Sequence, residues 1–216
     1  GIREWIRAQQ ALPATSLLAL VREDATRFPP PEKNPDGMEI SRIDFYFTHN
    51  VAWWKLALAS PDQLRQRVAF ALSQIFVVSD VPSILFNTPL GMASYYDVLV
   101  NGAFGNFRQL LENVTLSPLM GVYLTSLRNA KATYDTAGNA ITTPDENYAR
   151  EVMQLFTIGL NELNPDGTLR LDPNGQPIPT YTQETIVQLA KVFTGWGFAS
   201  STENATANVN LFRGAP

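Results

Sequence analysis

Ser60-Pro61-Asp62-Gln63-Leu64-Arg65-Gln66-Arg67-Val68-Ala69-Phe70-Ala71-Leu72-Ser73-Gln74-Ile75-Phe76 carries a helix together with its start signal. Ser60 reads as an N-cap, Pro61 as the first helical residue, Asp62 as an acid at the positive end of the helix, and Gln63 as a reciprocal capping partner. Leu64, Val68, Leu72, Ile75 and Phe76 recur at helical spacing and predict one apolar stripe. Just upstream, Ile43, Phe47, Val51, Trp54 and Leu58 repeat at the same period and predict a helix over about 41–59. Phe45, Tyr46, Trp53 and Leu56 add a second apolar arc, so this helix is expected inside a bundle.

Further out, helices are predicted over about 2–11 and 15–28, stopped by Pro13 and by Pro29-Pro30-Pro31. Five more are predicted near 89–101, 106–115, 117–127, 143–158 and 182–195. Ser117-Pro118 and Thr143-Pro144-Asp145-Glu146 repeat the opening signal, and Thr182 reads as a cap stapled by Tyr181 and Ile186. Two long loops remain, 128–142 and 160–181. The second holds the turns Asn164-Pro165-Asp166-Gly167 and Asp172-Pro173-Asn174-Gly175, across the first of which a short hairpin can form. No internal repeat and no linker interrupts the pattern. The expected fold class is all-α: one helical domain over 1–216, an irregular bundle of about eight or nine helices with a polar tail from 200.

Composition bounds the function. Of the residues, 45% are hydrophobic, enough for a sizeable core, and 17% are charged, against roughly 25% in an ordinary globular chain. Sixteen Lys+Arg against twenty Asp+Glu give a net charge of −4, which argues against a nucleic-acid partner held by a basic field. No apolar run reaches the ~18 residues of a membrane span. The absence of Cys excludes thiolate zinc sites and Cys nucleophiles, and the single His49 excludes a multi-His metal site. No metal is expected and no cofactor fingerprint is present. The chain opens at Gly1 inside an amphipathic stretch and ends in a polar run, so it is expected to be a piece of a longer protein.

The densest polar group lies on the helix expected from Thr143. Glu146 and Arg150 are spaced for an ion pair, and Asn147 stands in the same relation to Glu151. Tyr148, Val152, Leu155 and Phe156 form the apolar side, and Gly159 is placed as a C-cap. A carboxylate held by Asn and Arg can bind a substrate or act as acid or base, with Glu151 and Arg150 as catalytic candidates; the same spacing also suits a polar lock between helices. Arg65 projects into the apolar side of its helix and needs an anion, for which Asp44, Asp97, Glu112 and Glu151 are candidates. His49 reads either as a base or as a core histidine donating one N–H. The aromatics Trp53-Trp54, Tyr95-Tyr96 and Trp196 suit a sugar-stacking platform or a core. Asp172-x-Asn174-x-Gln176 has the alternation of a calcium loop but lacks its Gly and final acid, and suits a turn better.

Asp145-Glu146-Asn147-Tyr148-Ala149-Arg150-Glu151 followed by Leu155-Phe156-Thr157 and Gly159 resembles the hallmark segment of a large bacterial family, catalogued as domain of unknown function number eighteen hundred. Leu64–Val78, Tyr181-Thr182-Gln183-Glu184 with Phe193-Thr194-Gly195-Trp196, and the Trp5…Gln9 pattern agree, so the resemblance spans nearly the whole chain. Asp145 and Thr185 depart from the family pattern. The resemblance implies a longer parent with a His-Asp-containing part beyond the Thr-Gly-Trp segment. It also implies an exported, extracytoplasmic protein, often encoded beside a sulfatase-like family. It carries no reaction. Two functions follow as expectations: a helical module that binds or assembles with a protein (the sulfatase-like neighbour family) or an extracellular polymer, with Glu146, Asn147, Tyr148 and Arg65 as binding candidates; or part of a hydrolase-like site, with or without a metal ion, around Glu151 and Arg150, completed by residues beyond 216.

Overall fold

The computed structural model describes residues 1–27, 32–33, 35–37 and 43–197. The Pro29-Pro30-Pro31 stop, the side chain of Asp44 and the polar tail from 200 lie outside the described residues. The architecture is mostly α-helical, as expected, with one small two-stranded sheet. The chain divides into two compact units, the first over Gly1–Leu119 and the second from Met120 onward.

Unit 1 contains α1 (Ile2–Ala11), α2 (Leu17–Arg27), α3 (Ile43–Tyr46), α4 (Thr48–Ala59), α5 (Gln63–Ser73), α6 (Ser83–Phe86), α7 (Pro89–Gly102) and α8 (Phe107–Thr115); the division falls within α9 (Pro118–Tyr123). Leu17 and Val21 of α2, Ala52 and Leu56 of α4, and Ala93 of α7 form its central cluster. The alanines at the crossings leave room for the larger side chains, and a Leu as fully buried as Leu56 contributes about 2–3 kcal/mol. Residue Asp97 on α7 supplies the cap that α2 lacks. Its carboxylate accepts from Ser16 Oγ (2.6 Å), Leu17 N (2.7 Å) and Leu18 N (3.2 Å), meeting the orphan N–H groups of the first turn. Burial nonetheless holds the Asp97 carboxyl above the usual carboxylate range against these bonds.

The helix expected over 41–59 is two helices, α3 and α4, broken at Phe47. Its first stripe faces outward: Phe47, Val51, Trp54 and Leu58 are exposed, whereas Phe45, Tyr46, His49, Ala52, Leu56 and Ala57 are buried. Both arcs are apolar, so periodicity had no polar face by which to choose the inner one. The start signal at Ser60 is also differently used. Ser60 closes α4 with extended φ −66° and ψ 145°, and α5 begins after Asp62. The Gln63 amide reaches back to the Ser60 carbonyl (2.9 Å) and hydroxyl (3.1 Å), so it caps the end of one helix rather than the start of the next. On α5 the deepest positions are Gln66 and Ala69, followed by Phe76 beyond the helix; Leu64, Val68 and Leu72 are half-buried and Ile75 is exposed.

The reason is the fully buried Asp62. Its carboxylate accepts from Thr15 Oγ1 (2.6 Å), Thr15 N (3.0 Å) and Gln66 Nε2 (3.0 Å), which ties the α1–α2 junction to α5. Gln9 completes the grip, donating to the Pro61 carbonyl (3.1 Å) and accepting from Leu64 N (3.1 Å). Arg65 is nearly buried, as expected, and among the described side chains Asp97, Glu112 and Glu151 do not meet it, Asp44 lying outside the described ones. Its Nε lies 3.9 Å from Asp62, and its guanidinium sits 4.7 Å from the Phe104 ring centroid. Its guanidinium also donates to the carbonyls of Val100 (3.4 Å), Leu12 (3.4 Å) and Gln10 (3.5 Å), and Asp97 is already committed to α2.

Unit 2 holds β1 (Thr133–Tyr134), β2 (Ala140–Thr142), α10 (Asn147–Glu151), a π-helical segment (Val152–Thr157) and α11 (Gln183–Val192). The strands pair antiparallel within the expected 128–142 loop. In the 160–181 loop the expected hairpin is present as the single bridge of Leu163 with Leu169, and two further bridges, Leu171 with Pro177 and Asn161 with Pro179, add a segment that was not expected. Gly167 (φ 83°) and Gly175 (φ 76°) supply the left-handed turn positions. Asp172 accepts from the backbone of Asn174 and Gln176, which makes its segment a turn. Thr143 does not cap the following helix, since α10 starts four residues later. The Asn129 amide instead donates to the Asp145 carbonyl (3.0 Å) and accepts from its N–H (2.8 Å) to set the approach. Thr182 caps α11 as expected, with Thr185 as the reciprocal partner.

Asp62→Ala strands a buried hydroxyl, a backbone N–H and an amide, and is expected to cost about 2–4 kcal/mol in denaturant unfolding. Burial acts to raise the Asp62 pKa, but the Thr15 and Gln66 bonds outweigh it and hold it below the usual carboxylate range. Its contribution is therefore present above the unfolded-state value and lost as pH falls through the folded one. Asp62→Ala should flatten the acid limb of the stability curve.

Candidate functional site

An open pocket of about 520 Å³ lies within unit 1, among α4, the end of α5, the segment Val77–Asp80 and α7. Aromatic walls come from Trp53 and Trp54 on α4, Phe70 on α5, and Tyr95 and Tyr96 on α7. The two indoles stand edge to face, ring centroids 5.0 Å apart at 79°, and Trp53 is steadied by Phe70 at 5.6 Å. Trp54 is 60% exposed at the lip. Tyr95 is buried and anchored through its hydroxyl to the Phe76 carbonyl (2.7 Å). Burial raises the Tyr96 phenol above its ordinary pKa, opposed by the neighbouring Trp53 N–H, so it is a neutral hydroxyl at physiological pH.

Polar groups break this apolar lining. Asn50, Ser73 and Gln74 face the pocket, and Gln74 Nε2 donates to Ser73 Oγ (3.2 Å). At one end buried His49 places Nε2 3.2 Å from Asp80 Oδ2, within reach of a charge-assisted hydrogen bond. Its Nδ1 is buried without a close hydrogen bond. Burial is the largest influence on the ring and holds its pKa below 6.5; Asp80 and the Tyr46 carbonyl oppose it less strongly. The imidazole is therefore neutral near pH 7, fastening the Val77–Asp80 segment to α4. A ring whose second nitrogen is enclosed by protein is badly placed to take a proton from a ligand. The histidine acts by position.

The polar group singled out in the sequence lies in unit 2. Arg150 Nη2 donates to Glu146 Oε2 (2.9 Å) and to Gln183 Oε1 (3.2 Å), while Gln183 Nε2 donates to the same Glu146 oxygen (2.8 Å). This triangle joins α10 to α11 at a half-exposed surface, with the Arg150 side chain 39% exposed. Tyr148 is buried in the unit 2 core, its ring edge to face with Phe193 at 4.9 Å. Asn147 spends its backbone N–H on Asp145 (2.8 Å), and Glu151 Oε2 is buried with no hydrogen-bond partner among the described residues. The π-helical segment starts at the next residue. Arg65 belongs to unit 1 and serves the Asp62 grip. Thus the structure joins Glu146 with Arg150 and adds Gln183, which sequence spacing could not supply from 33 positions away. Among the described residues no group of three or more His, Asp or Glu is arranged to hold a metal ion. No helix of the described residues is long and apolar enough to cross a membrane.

Sequence reading had named the aromatic doublets but not the pocket that unites them. The signal available was Trp53-Trp54 and Tyr95-Tyr96 in separate helices, with His49 four residues before Trp53. Trp196, the remaining aromatic of that proposed platform, lies in unit 2 and turns its indole N–H onto the Val192 carbonyl (3.3 Å).

Two outcomes are expected in thermal unfolding. Arg150→Met should cost less than about 1 kcal/mol because its partners stay solvated, and Glu151→Gln should leave stability unchanged or raise it, since a charge without a partner is removed from a buried position. A folded His49 pKa below the unfolded value makes stability complete above about pH 6.5 and lost as pH falls from there toward the folded value. The drop in melting temperature between pH 7.5 and 5.5 should therefore shrink in His49→Gln, measured by scanning calorimetry.

No curated protein and no solved structure matches the chain. The family described as "Protein of unknown function (DUF1800)" matches over residues 1–214, and the chain belongs to it.

Proposed function

We propose that the chain is a binding module of an exported bacterial protein and that it holds a segment of an extracytoplasmic polymer in the unit 1 pocket. The observation that carries this reading is Trp54, a large apolar ring left in water at the lip of a pocket lined by aromatic and aliphatic side chains, with amide and hydroxyl groups and one carboxylate among them. Water does not favour such a ring, and a ligand laid against it recovers the hydrophobic contact. The apolar stripe of Val51, Trp54 and Leu58 continues along α4 outside the pocket, which suits an extended ligand better than a compact one. The setting outside the cytoplasm rests on the exported character of the family that the sequence resembles.

A hydrolase-like site around Glu151 is the second reading, favoured by one observation. Its buried Oε2 has no partner among the described residues, immediately before a π-helical segment, a form found often at functional sites. In that reading Glu151 is the base and Arg150 steadies an anion, and the site is completed by groups from elsewhere.

Calorimetric titration with soluble polymers separates the two. Saturable binding that falls about tenfold, or about 1.4 kcal/mol, in Trp54→Ala and persists in Glu151→Gln is the expected result. Binding that survives Trp54→Ala and is abolished in Glu151→Gln sinks the pocket reading.

A further inference from the structure

We infer that the occupant of the unit 1 pocket is a neutral polysaccharide, with sugar C–H faces stacked on Trp54 and ring hydroxyls bonded by Asn50, Ser73 and Gln74. This inference deepens the pocket reading above and rests on it. Three features of the lining select the class.

The first is charge. Among the described residues lining the pocket there is no Lys or Arg, so nothing compensates a phosphate, a sulfate or a uronate. Asp80 is the acid present, and it would repel such groups.

The second feature is the kind of polar group. Asn50 and Gln74 each offer a carbonyl and an NH₂ on one planar head, and the Ser73 hydroxyl, whose proton goes to the Phe70 carbonyl (2.7 Å), offers an acceptor. Vicinal sugar hydroxyls also both donate and accept, so each such pair can be met by one amide. A cationic ligand would use none of these donors. Its natural counter-charge is Asp80, which the neutral His49 ring meets at 3.2 Å without compensating it, so choline is one of the probes.

The third is the arrangement of the rings. The Trp53 and Trp54 indoles stand edge to face, Trp53 is half-buried against Phe70, and Trp54 is the indole with broad open surface. A cage for an ammonium group needs several ring faces turned inward, whereas a pyranose needs one flat face with polar groups beside it. Trp54 is the exposed indole of the lining, Tyr95 is buried with its hydroxyl tied to the Phe76 carbonyl, and Asn50 and Gln74 line the same pocket. His49, at one end of the lining, holds the Val77–Asp80 wall in place through its contact with Asp80.

The test is isothermal titration of the full chain with four probes: cellohexaose, chitohexaose, a polygalacturonate oligomer and choline. Saturable binding of a neutral hexasaccharide is expected, with the same Kd at low and high salt because no charge pair is made. Trp54→Ala should weaken it about tenfold and Gln74→Ala by a few-fold, with unfolding curves matching the parent for both. Binding of choline or polygalacturonate in a Trp54-dependent manner, with neither neutral hexasaccharide bound, overturns the neutral-sugar assignment and leaves the pocket reading standing. Neutral-sugar binding indifferent to both substitutions overturns both the assignment and the pocket reading, as does an absence of binding by all four probes and by the polymers that test the pocket reading.

Discussion

A single buried carboxylate organises unit 1. Asp62 sits where α4 hands over to α5, and water does not reach it. A charge in that position is tolerable only if donors surround it, and Thr15 and Gln66 provide them. Those donors come from the α1–α2 junction and from α5 itself, so the charge fixes the relative placement of three helices. Gln9 fastens the same turn from the other side, and Arg65 adds a cation one turn away, spread against Phe104. Once α5 is set in this way, Phe70, Ser73 and Gln74 are delivered to one side of the pocket.

The opposite side depends on α4, a helix that is apolar nearly all round. The core takes one arc, with Ala52 and Leu56 against α2 and α7, and the other arc is left with Trp54 outside. Between them His49 and Trp53 occupy the border, one buried and one half-buried. Border positions are where a histidine can lose part of its solvation and still meet a carboxylate at the surface. That compromise holds the His49 ring neutral while it keeps hold of Asp80.

Local chemistry was the legible part of the sequence. Gly159 adopts φ 73° where a C-cap was expected, Thr182 caps α11, and Glu146 meets Arg150 at the predicted spacing. Each of these needs only residues within one or two turns. What the sequence left open was set at longer range or by competition between equal local signals. Ser60-Pro61 suits a helix start, yet the end of α4 claims Ser60 first. Arg65 required an anion, and the choice fell to a residue three positions away because Asp97 was taken by the bare N-terminus of α2, a demand visible only once α2 and α7 are packed. The pocket itself is a tertiary product: two aromatic doublets 42 positions apart and a serine–glutamine pair between them carry no shared period. The family match adds membership without adding a chemistry.

The π-helical segment at Val152–Thr157 sets the phase of the helix in unit 2. Ile158 N–H reaches the Met153 carbonyl (3.1 Å), five residues back, and Thr157 Oγ1 reaches the Val152 carbonyl (2.6 Å) over the same interval. Such a widened turn holds one residue more than an α-helical turn in the same span. Excising a residue there would rewind the helix and turn everything before it by about 100° relative to Gly159. Tyr148 would swing away from Phe193, and the Glu151 carboxylate would leave its enclosure. The bulge is thus a phase adjuster: with it in place, Tyr148 stays packed in the core, and Gly159 still ends the helix at the ladder that follows.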